Sequence, residues 1–322
     1  MRNFERIFAT SAILSKLDPF RAFTILEKLP GAFRYIGNHV RADLGPDSRL
    51  SLSTKEECRL TRKGWQGLAA IAFLLLAPAA VFAQTDEIQV YDAAIAEPGV
   101  FNLMIHTNYT PIGRKSPVFP GAIIADQSVN TTAEWAYGVT DWFEQGLYLP
   151  VTTPHSQNRG ATLDGFKLRE LFVRPHADEH KLFYGVNFEF SVNHTYWEPR
   201  RITSEVRPII GVHLHPIDII FNPIVDTDYT GGFGNLEFVP ATRVAYNFND
   251  KWAAAVEEYA DMGPLRQFEP LNNQFHEVWA VMDHNSKIVN IEAGVGFGVT
   301  AGADRLTFKL MVSRDLNSRH RD

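Results

Sequence analysis

The sequence predicts an all-β fold, a transmembrane antiparallel up-and-down β-barrel of about twelve strands that follows an N-terminal signal segment. Three observations predict this fold. An export signal precedes the part of the chain that folds, and beyond it apolar and polar residues alternate with a period of two. Short links between the alternating segments also take turns with longer ones.

The export signal is predicted at 59–83. Three basic residues precede an uncharged stretch whose apolar centre spans 68–82, and small residues end it at Ala83. A membrane-spanning helix needs about 20 apolar residues, whereas this stretch is shorter and contains Pro78. We therefore expect export with cleavage after Ala83. Residues 1–58 form an N-terminal extension, which is either a start-site artefact or a disordered or helical segment.

The expected mature chain, which begins at Gln84, is acidic. Residues 1–83 hold 12 of the 31 Lys and Arg and 7 of the 37 Asp and Glu, which leaves 19 basic and 30 acidic residues and a net charge of -11. Nucleic acid is disfavoured as a partner, because binding phosphates requires clustered Lys and Arg. Cys58, the only cysteine, falls in the removed part, so no disulfide, thiolate or cysteine metal site is expected.

The alternation is clearest at 181–193. Val186 and Phe188 lie on one face of the predicted strand, while Asn187 and Glu189 lie on the other. A polar face of small and charged residues suits a narrow barrel lumen, and the apolar face suits lipid.

Twelve alternating segments follow one another, most of them nine to fourteen residues long and so near the length that crosses a bilayer at a tilt. The phase is ambiguous in three of them, at 165–174, 251–261 and 275–283. The segments are 99–110, 128–139, 143–153, 165–174, 181–193, 203–215, 219–228, 235–248, 251–261, 275–283, 288–299 and 305–316.

The alternation of short and long links predicts which end of the barrel faces the periplasm. Outer-membrane barrels have an even strand number, short periplasmic turns and longer external loops. We therefore expect a Gram-negative-type outer membrane, with its lipid and the barrel-assembly machinery as partners. The short links are at 140–141, 216–218, 249–250 and 284–286, and the long ones are at 110–127, 154–164, 194–202, 229–234 and 262–274.

The inward faces carry the candidate lumen-lining residues. One interpretation is a charged channel that selects permeants by sign and size. The other is that a narrow barrel fills its interior with Glu and Arg pairs that satisfy one another, and the two are compatible. The candidates are Glu134, Glu189, Glu205, Arg207, Asp226, Glu237, Arg243, Glu257, Glu292, Arg305 and Lys309.

Three hairpin sequences carry a family resemblance: YGVTDWFEQGLYLP at 137–150, YNFNDKW at 246–252 and GVGFGVTAGADRLTFKL at 294–310. They resemble the outer-membrane barrels of the phenol-degradation meta-pathway family, which are labelled transporters, and the likeness covers most of 84–316. The resemblance implies a porin-like channel or transport barrel for small molecules, in particular apolar or aromatic compounds. The chain departs from the family where it continues beyond Leu316, since such barrels usually finish on an aromatic residue.

Three alternatives to a channel remain open at this point: an outer-membrane lipid-modifying enzyme of the phospholipase type, a purely structural or assembly-linked barrel, and a soluble periplasmic β-sandwich that binds a ligand. The phospholipase's His-x-Ser pair is missing from every predicted strand, and neither G-x-S-x-G nor His-Glu-x-x-His occurs. We therefore expect no catalytic residues and no cofactor. His213 and His215 could ligate a metal, but Glu205 is about 26 Å from His213 along the strand, so we expect no metal site.

Overall fold

The computed structural model describes residues 87–158 and 160–317. The predicted extension, signal segment and cleavage point lie outside these residues. Within them, no helix has both the length and the apolar character that a membrane-spanning helix needs.

In the described part of the chain, fifteen β-strands form one antiparallel sheet, and twelve of them make the wall of a closed barrel. The other three, β4, β9 and β10, are two or three residues long. The strands are β1 Phe101–Ile112, β2 Ser128–Gly138, β3 Phe143–Pro154, β4 Thr162–Leu163, β5 Gly165–Val173, β6 Leu182–Asn193, β7 Ile202–His213, β8 Ile217–Asn222, β9 Val225–Thr227, β10 Glu237–Phe238, β11 Ala241–Asn249, β12 Trp252–Asp261, β13 Phe275–His284, β14 Asn290–Gly298 and β15 Leu306–Asp315, and 3₁₀ turns lie at His155–Gln157, Ala177–Glu179 and Phe233–Asn235.

The barrel closes where β1 pairs with β15, with Ile105 opposite Val312. Asn317, two residues after the end of β15, adds two hydrogen bonds to this seam. Its side chain accepts one from the Phe101 N–H (2.7 Å) and donates one to the Gly99 carbonyl (3.0 Å). Closure leaves no free edge in the twelve-strand wall, as a barrel in lipid requires.

The two ends of the barrel differ in their links. At the turn end, where β1 begins and β15 finishes, the links are mostly short: 139–142, 174–181, 214–216, 250–251 and 285–289. At the loop end the links are mostly longer: 113–127, 155–164, 194–201, 223–240, 262–274 and 299–305.

The wall is apolar outside and polar inside, as the alternation predicted. On the outward face, Tyr184 and Phe190 are 55% and 52% exposed, while inward-facing Asn187 and Glu189 are at most 1% exposed. This distribution suits lipid outside the barrel. It also rules out the β-sandwich alternative, because the twelve strands close into a single barrel.

Two predicted segments are each divided in two by a proline. Segment 219–228 is β8 and β9, separated at Pro223, and segment 235–248 is β10 and β11, separated at Pro240. Proline has no N–H to contribute to a ladder, which explains both breaks. The turn predicted at 216–218 was displaced, because Ile217 and Asp218 already pair with β11.

Residues 87–96, here called the lumenal segment, run inside the barrel without regular structure. The segment reaches from the loop end to the turn end, where the Gly99 N–H donates to the Gly138 carbonyl (2.7 Å) just before β1. Ile88, Val90 and Tyr91 of this segment belong to the buried core. Nothing in the period-two pattern predicted it.

Candidate functional site: the occupied lumen

Tyr91 is the midpoint of the lumenal segment and makes its most extensive contacts. The Tyr91 N–H donates a hydrogen bond to Asn222 Oδ1 (2.7 Å), and Asn222 Nδ2 donates one to the Tyr91 carbonyl (3.0 Å). The Tyr91 and Tyr148 hydroxyls lie 2.6 Å apart. The guanidinium of Arg207 stacks 4.4 Å from the Tyr91 ring centroid. Asn222 is fully buried at the end of β8, so it takes the place of a strand partner for the segment.

Side chains of the wall also bind the backbone of the lumenal segment before and after Tyr91 in the sequence. Arg207 Nη1 donates to the Gln89 carbonyl (3.0 Å), and Lys309 Nζ donates to the Ile88 carbonyl (3.2 Å). Nearer the turn end, the Ala96 N–H donates to Glu144 Oε2 (2.5 Å). These are side-chain contacts to a backbone that has no strand pairing of its own, so the segment can leave without breaking the hydrogen bonds of the wall.

One ionic cluster, the Arg169 cluster, lies on the β1 to β5 side. Arg169 Nη2 is 3.0 Å from Glu134 Oε1 and also contacts Glu144. His106 Nε2 lies 2.9 Å from the other Glu134 oxygen. All four residues are buried, so each charge depends on the others for its stabilisation.

A second cluster, the Lys309 cluster, lies on the β11 to β15 side. Lys309 Nζ is 2.5 Å from Glu257 Oε2 and 2.6 Å from Glu292 Oε1. Arg243 contacts Glu257 and Asp283 and lies 3.4 Å from Glu292. Mutually paired charges thus fill much of the interior.

The lumen candidates named from the sequence lie as follows. Glu134 is in the Arg169 cluster, and Arg243, Glu257, Glu292 and Lys309 are in the Lys309 cluster. Four others line a cavity at the loop end, namely Glu189, Glu205, Arg207 and Asp226, and Glu237 is directly opposite Asp226 in register.

Arg305 is exposed in the link before β15 and does not lie with the other candidates. The alternation places it on the inward face, but the strand begins only at Leu306, so the periodicity does not extend to Arg305.

Sequence reasoning missed Arg169 because β5 carries charge on both faces. Arg169 points inward, whereas the neighbouring Glu170 points outward and accepts a hydrogen bond from Gln145 Nε2 (2.8 Å). Because each face of the strand carries a charge, the alternation does not show which of its residues face the lumen. Glu144 and His106 could have been found, because each lies at an inward position of a predicted strand of clear phase, whereas Asp283 lies in segment 275–283, whose phase was ambiguous.

The lumenal segment separates two sets of cavities. At the loop end is a cavity of about 130 Å³ that Glu87 and Gln89 help to line. At the turn end are spaces of about 500 and 640 Å³ beside residues 92–97. No group of three or more His, Asp or Glu residues that could hold a metal ion occurs among residues 87–158 and 160–317.

A closed barrel with an apolar outer belt and a charged interior defines the class of transmembrane β-barrels. No protein-family model and no curated protein sequence matches this chain. The resemblance of its hairpins to the phenol-degradation family therefore stays a prediction.

Several solved structures are similar in fold. The COG4313 outer membrane channel from Pseudomonas putida F1 has a TM-score of 0.49 at 10% identity, over 71% of this chain and 100% of that one. The KdgM porin in complex with disordered oligogalacturonate has a TM-score of 0.43 at 8% identity, over 67% and 99%. LpxR from Salmonella typhimurium has a TM-score of 0.36 at 9% identity, over 67% and 100%. At these values the likenesses carry no inference about function.

Proposed function

We propose that this chain is an outer-membrane channel for small molecules, closed in this structure by its own lumenal segment. The observation that carries the proposal is the presence, inside a complete barrel wall, of a segment that takes no part in that wall. Departure of residues 87–96 would join the cavity at the loop end to the larger spaces at the turn end.

The charged interior supports permeation through water. The Arg169 and Lys309 clusters belong to the wall strands, so they remain when the lumenal segment leaves. Side chains of fixed charge in a narrow, low-dielectric passage select permeants by sign.

The permeant class, small apolar or aromatic molecules, follows from the hairpin resemblance. One feature of the lumen agrees with it. Phe183, Ile209 and Leu171 face inward, are at most 1% exposed, and belong to the same core as the segment's Ile88 and Val90. Removing the segment would uncover this apolar patch, which could then receive the apolar part of a permeant.

Planar-bilayer recording with purified protein tests the proposal, with wild type compared to a variant that lacks residues 84–96. We expect discrete current steps that are larger and more frequent in the deletion variant. Swelling of liposomes in small aromatic solutes would then define the permeant. Silence from both proteins would contradict the channel, and silence together with lipid turnover would favour the enzyme alternative.

Location in the outer membrane is the other part of the proposal. It rests on the apolar outer belt and the contrast between turn end and loop end. The protein should sediment with outer membranes and migrate faster unboiled than boiled in detergent gels. Its complete release into the soluble periplasmic fraction would contradict this location.

A further inference from the structure

We propose that the cavity at the loop end is a binding site for a primary ammonium group. The wall strands β5, β6, β7, β12 and β13 contribute to it, together with the loop-end links 194–201 and 223–240. The lumenal segment forms its floor through Glu87 and Gln89.

The first ground is the charge of the cavity. Apart from Glu198, which has an interaction of its own, the described residues that line it carry five carboxyl groups and two cationic side chains, a formal excess of three negative charges. Both cations are already engaged. Arg207 is bidentate to Glu205 (2.6 and 3.2 Å), and Lys167 Nζ is 3.6 Å from Glu189 Oε2.

The second ground is Glu87. Its side chain lines the cavity and is 6% exposed, yet neither carboxylate oxygen has a hydrogen-bond partner in the described part of the chain. A buried carboxylate with no hydrogen bond is strongly unfavourable, and native proteins satisfy such groups with a donor or a counter-ion. In the loop-end link 223–240, Asp226 Oδ1 is likewise buried without a hydrogen-bond partner among the described residues. These three oxygens are therefore open to a hydrogen-bond donor that a ligand supplies, and an ammonium group adds charge complementarity to that contact.

The third ground is the size of the cavity and the aromatic side chains in its lining. Its volume of about 130 Å³ is close to that of the roughly 150 Å³ engineered cavity that binds benzene. Trp197, Tyr259 and Phe275 line it, and aromatic faces attract organic cations. An ammonium group has three N–H donors that it can share among separate carboxylates, so the carboxylates need not converge as metal ligands would.

Two sources could supply this ammonium group. One is a small amine that enters from the loop end. The other is the chain itself, because the expected cleavage after Ala83 would create an α-ammonium on Gln84, three residues before Glu87. Neither source requires the lumen to conduct, so the inference stands or falls separately from the proposed channel.

Titration calorimetry on the purified mature protein in detergent tests the site, with benzylamine as the probe. Benzyl alcohol and benzoate are the neutral and anionic counterparts of the same size. We expect benzylamine alone to bind, and Glu87→Gln to weaken it about 10-fold or more, because a charge-assisted contact is lost. Asp226→Asn, in the loop-end link, should weaken it in the same direction. Glu97→Gln is the matched control, since Glu97 lies in the same stretch of chain but is exposed at the turn end. Gel mobility verifies that each variant is folded.

A second preparation separates the two sources. The protein is unfolded, its N-terminal Gln84 is cyclised to pyroglutamate with loss of ammonia, and the barrel is refolded. If benzylamine binds the untreated protein, the site accepts a free amine. If it binds only after cyclisation, the chain's own ammonium occupies the site. Binding absent from both preparations, equal binding of benzyl alcohol, or binding indifferent to Glu87→Gln would each overturn the proposal.

Discussion

Asn222→Leu should open the barrel. In the closed structure Asn222 satisfies both the N–H and the carbonyl of Tyr91, at 2.7 and 3.0 Å, in a fully buried position. Leucine is similar in size but makes neither hydrogen bond. Once the lumenal segment leaves, water satisfies the two backbone groups of Tyr91, so the substitution penalises only the closed state.

The size of the effect follows from the two lost bonds. At about 1–1.5 kcal/mol each, they make the closed state about 2–3 kcal/mol less stable relative to the open one. Since 1.4 kcal/mol corresponds to a factor of ten, the ratio of open to closed channels should rise by about 30- to 150-fold.

Single-channel recording in planar bilayers measures this ratio directly. Asn187→Leu is the matched control, because Asn187 is equally buried but bonds to Glu189 in the wall and not to the segment. The reasoning is refuted if Asn222→Leu folds and yet its open probability equals that of wild type. It is also refuted if Asn187→Leu opens the channel to the same extent.

Three further predictions concern stability, each measured as the folded fraction on detergent gels. Val186→Arg, on the outward face, should lower the free energy of unfolding by roughly 2–4 kcal/mol in a urea titration, whereas Val186→Leu should leave it nearly unchanged. Equal tolerance of both substitutions would mean that this face does not contact lipid. Lys309→Met should cost about 3–5 kcal/mol, because it leaves buried Glu257 without its ammonium partner, and the exposed Lys287→Met should cost less than about 0.5 kcal/mol. Burial raises the pKa of Glu237, in the loop-end link, to about 8. The folded state therefore prefers the protonated form, and this stabilisation is lost as the pH rises towards 8. Glu237→Gln should raise the unfolding temperature at pH 9 but not at pH 5, and the same gain at both pH values would contradict the shift.

The facing of the wall could be predicted from the sequence wherever one face was purely apolar. Strand β6 is the clearest case, since its outward Tyr184 and Phe190 and inward Asn187 and Glu189 fall where the alternation put them. Strand β5 could not be phased, because tertiary contacts make a charge acceptable on each of its faces.

The occupied lumen could not be predicted, because the lumenal segment has no period. Its burial depends on the surrounding wall, and a hydrophobic pattern reports only on regular elements. One local signal was present: Pro98 and Gly99 interrupt the chain just before β1, and the apolar Ile88, Val90 and Tyr91 precede that break. The sequence could indicate a separate segment before Pro98, but it could not indicate that this segment packs inside the barrel.

The route of the lumenal segment also gives the barrel two topological isomers. The segment is made before any strand and enters the barrel at the turn end, next to β1, yet it is encircled only when β15 pairs with β1. After that pairing, the N-terminal end of the segment, at residue 87, could reach the loop end only by threading lengthwise through a finished ring. Threaded and unthreaded barrels would share every strand pairing and differ only in whether this end was inside when the ring closed. Assembly therefore has to place residues 87–96 correctly before it joins β15 to β1.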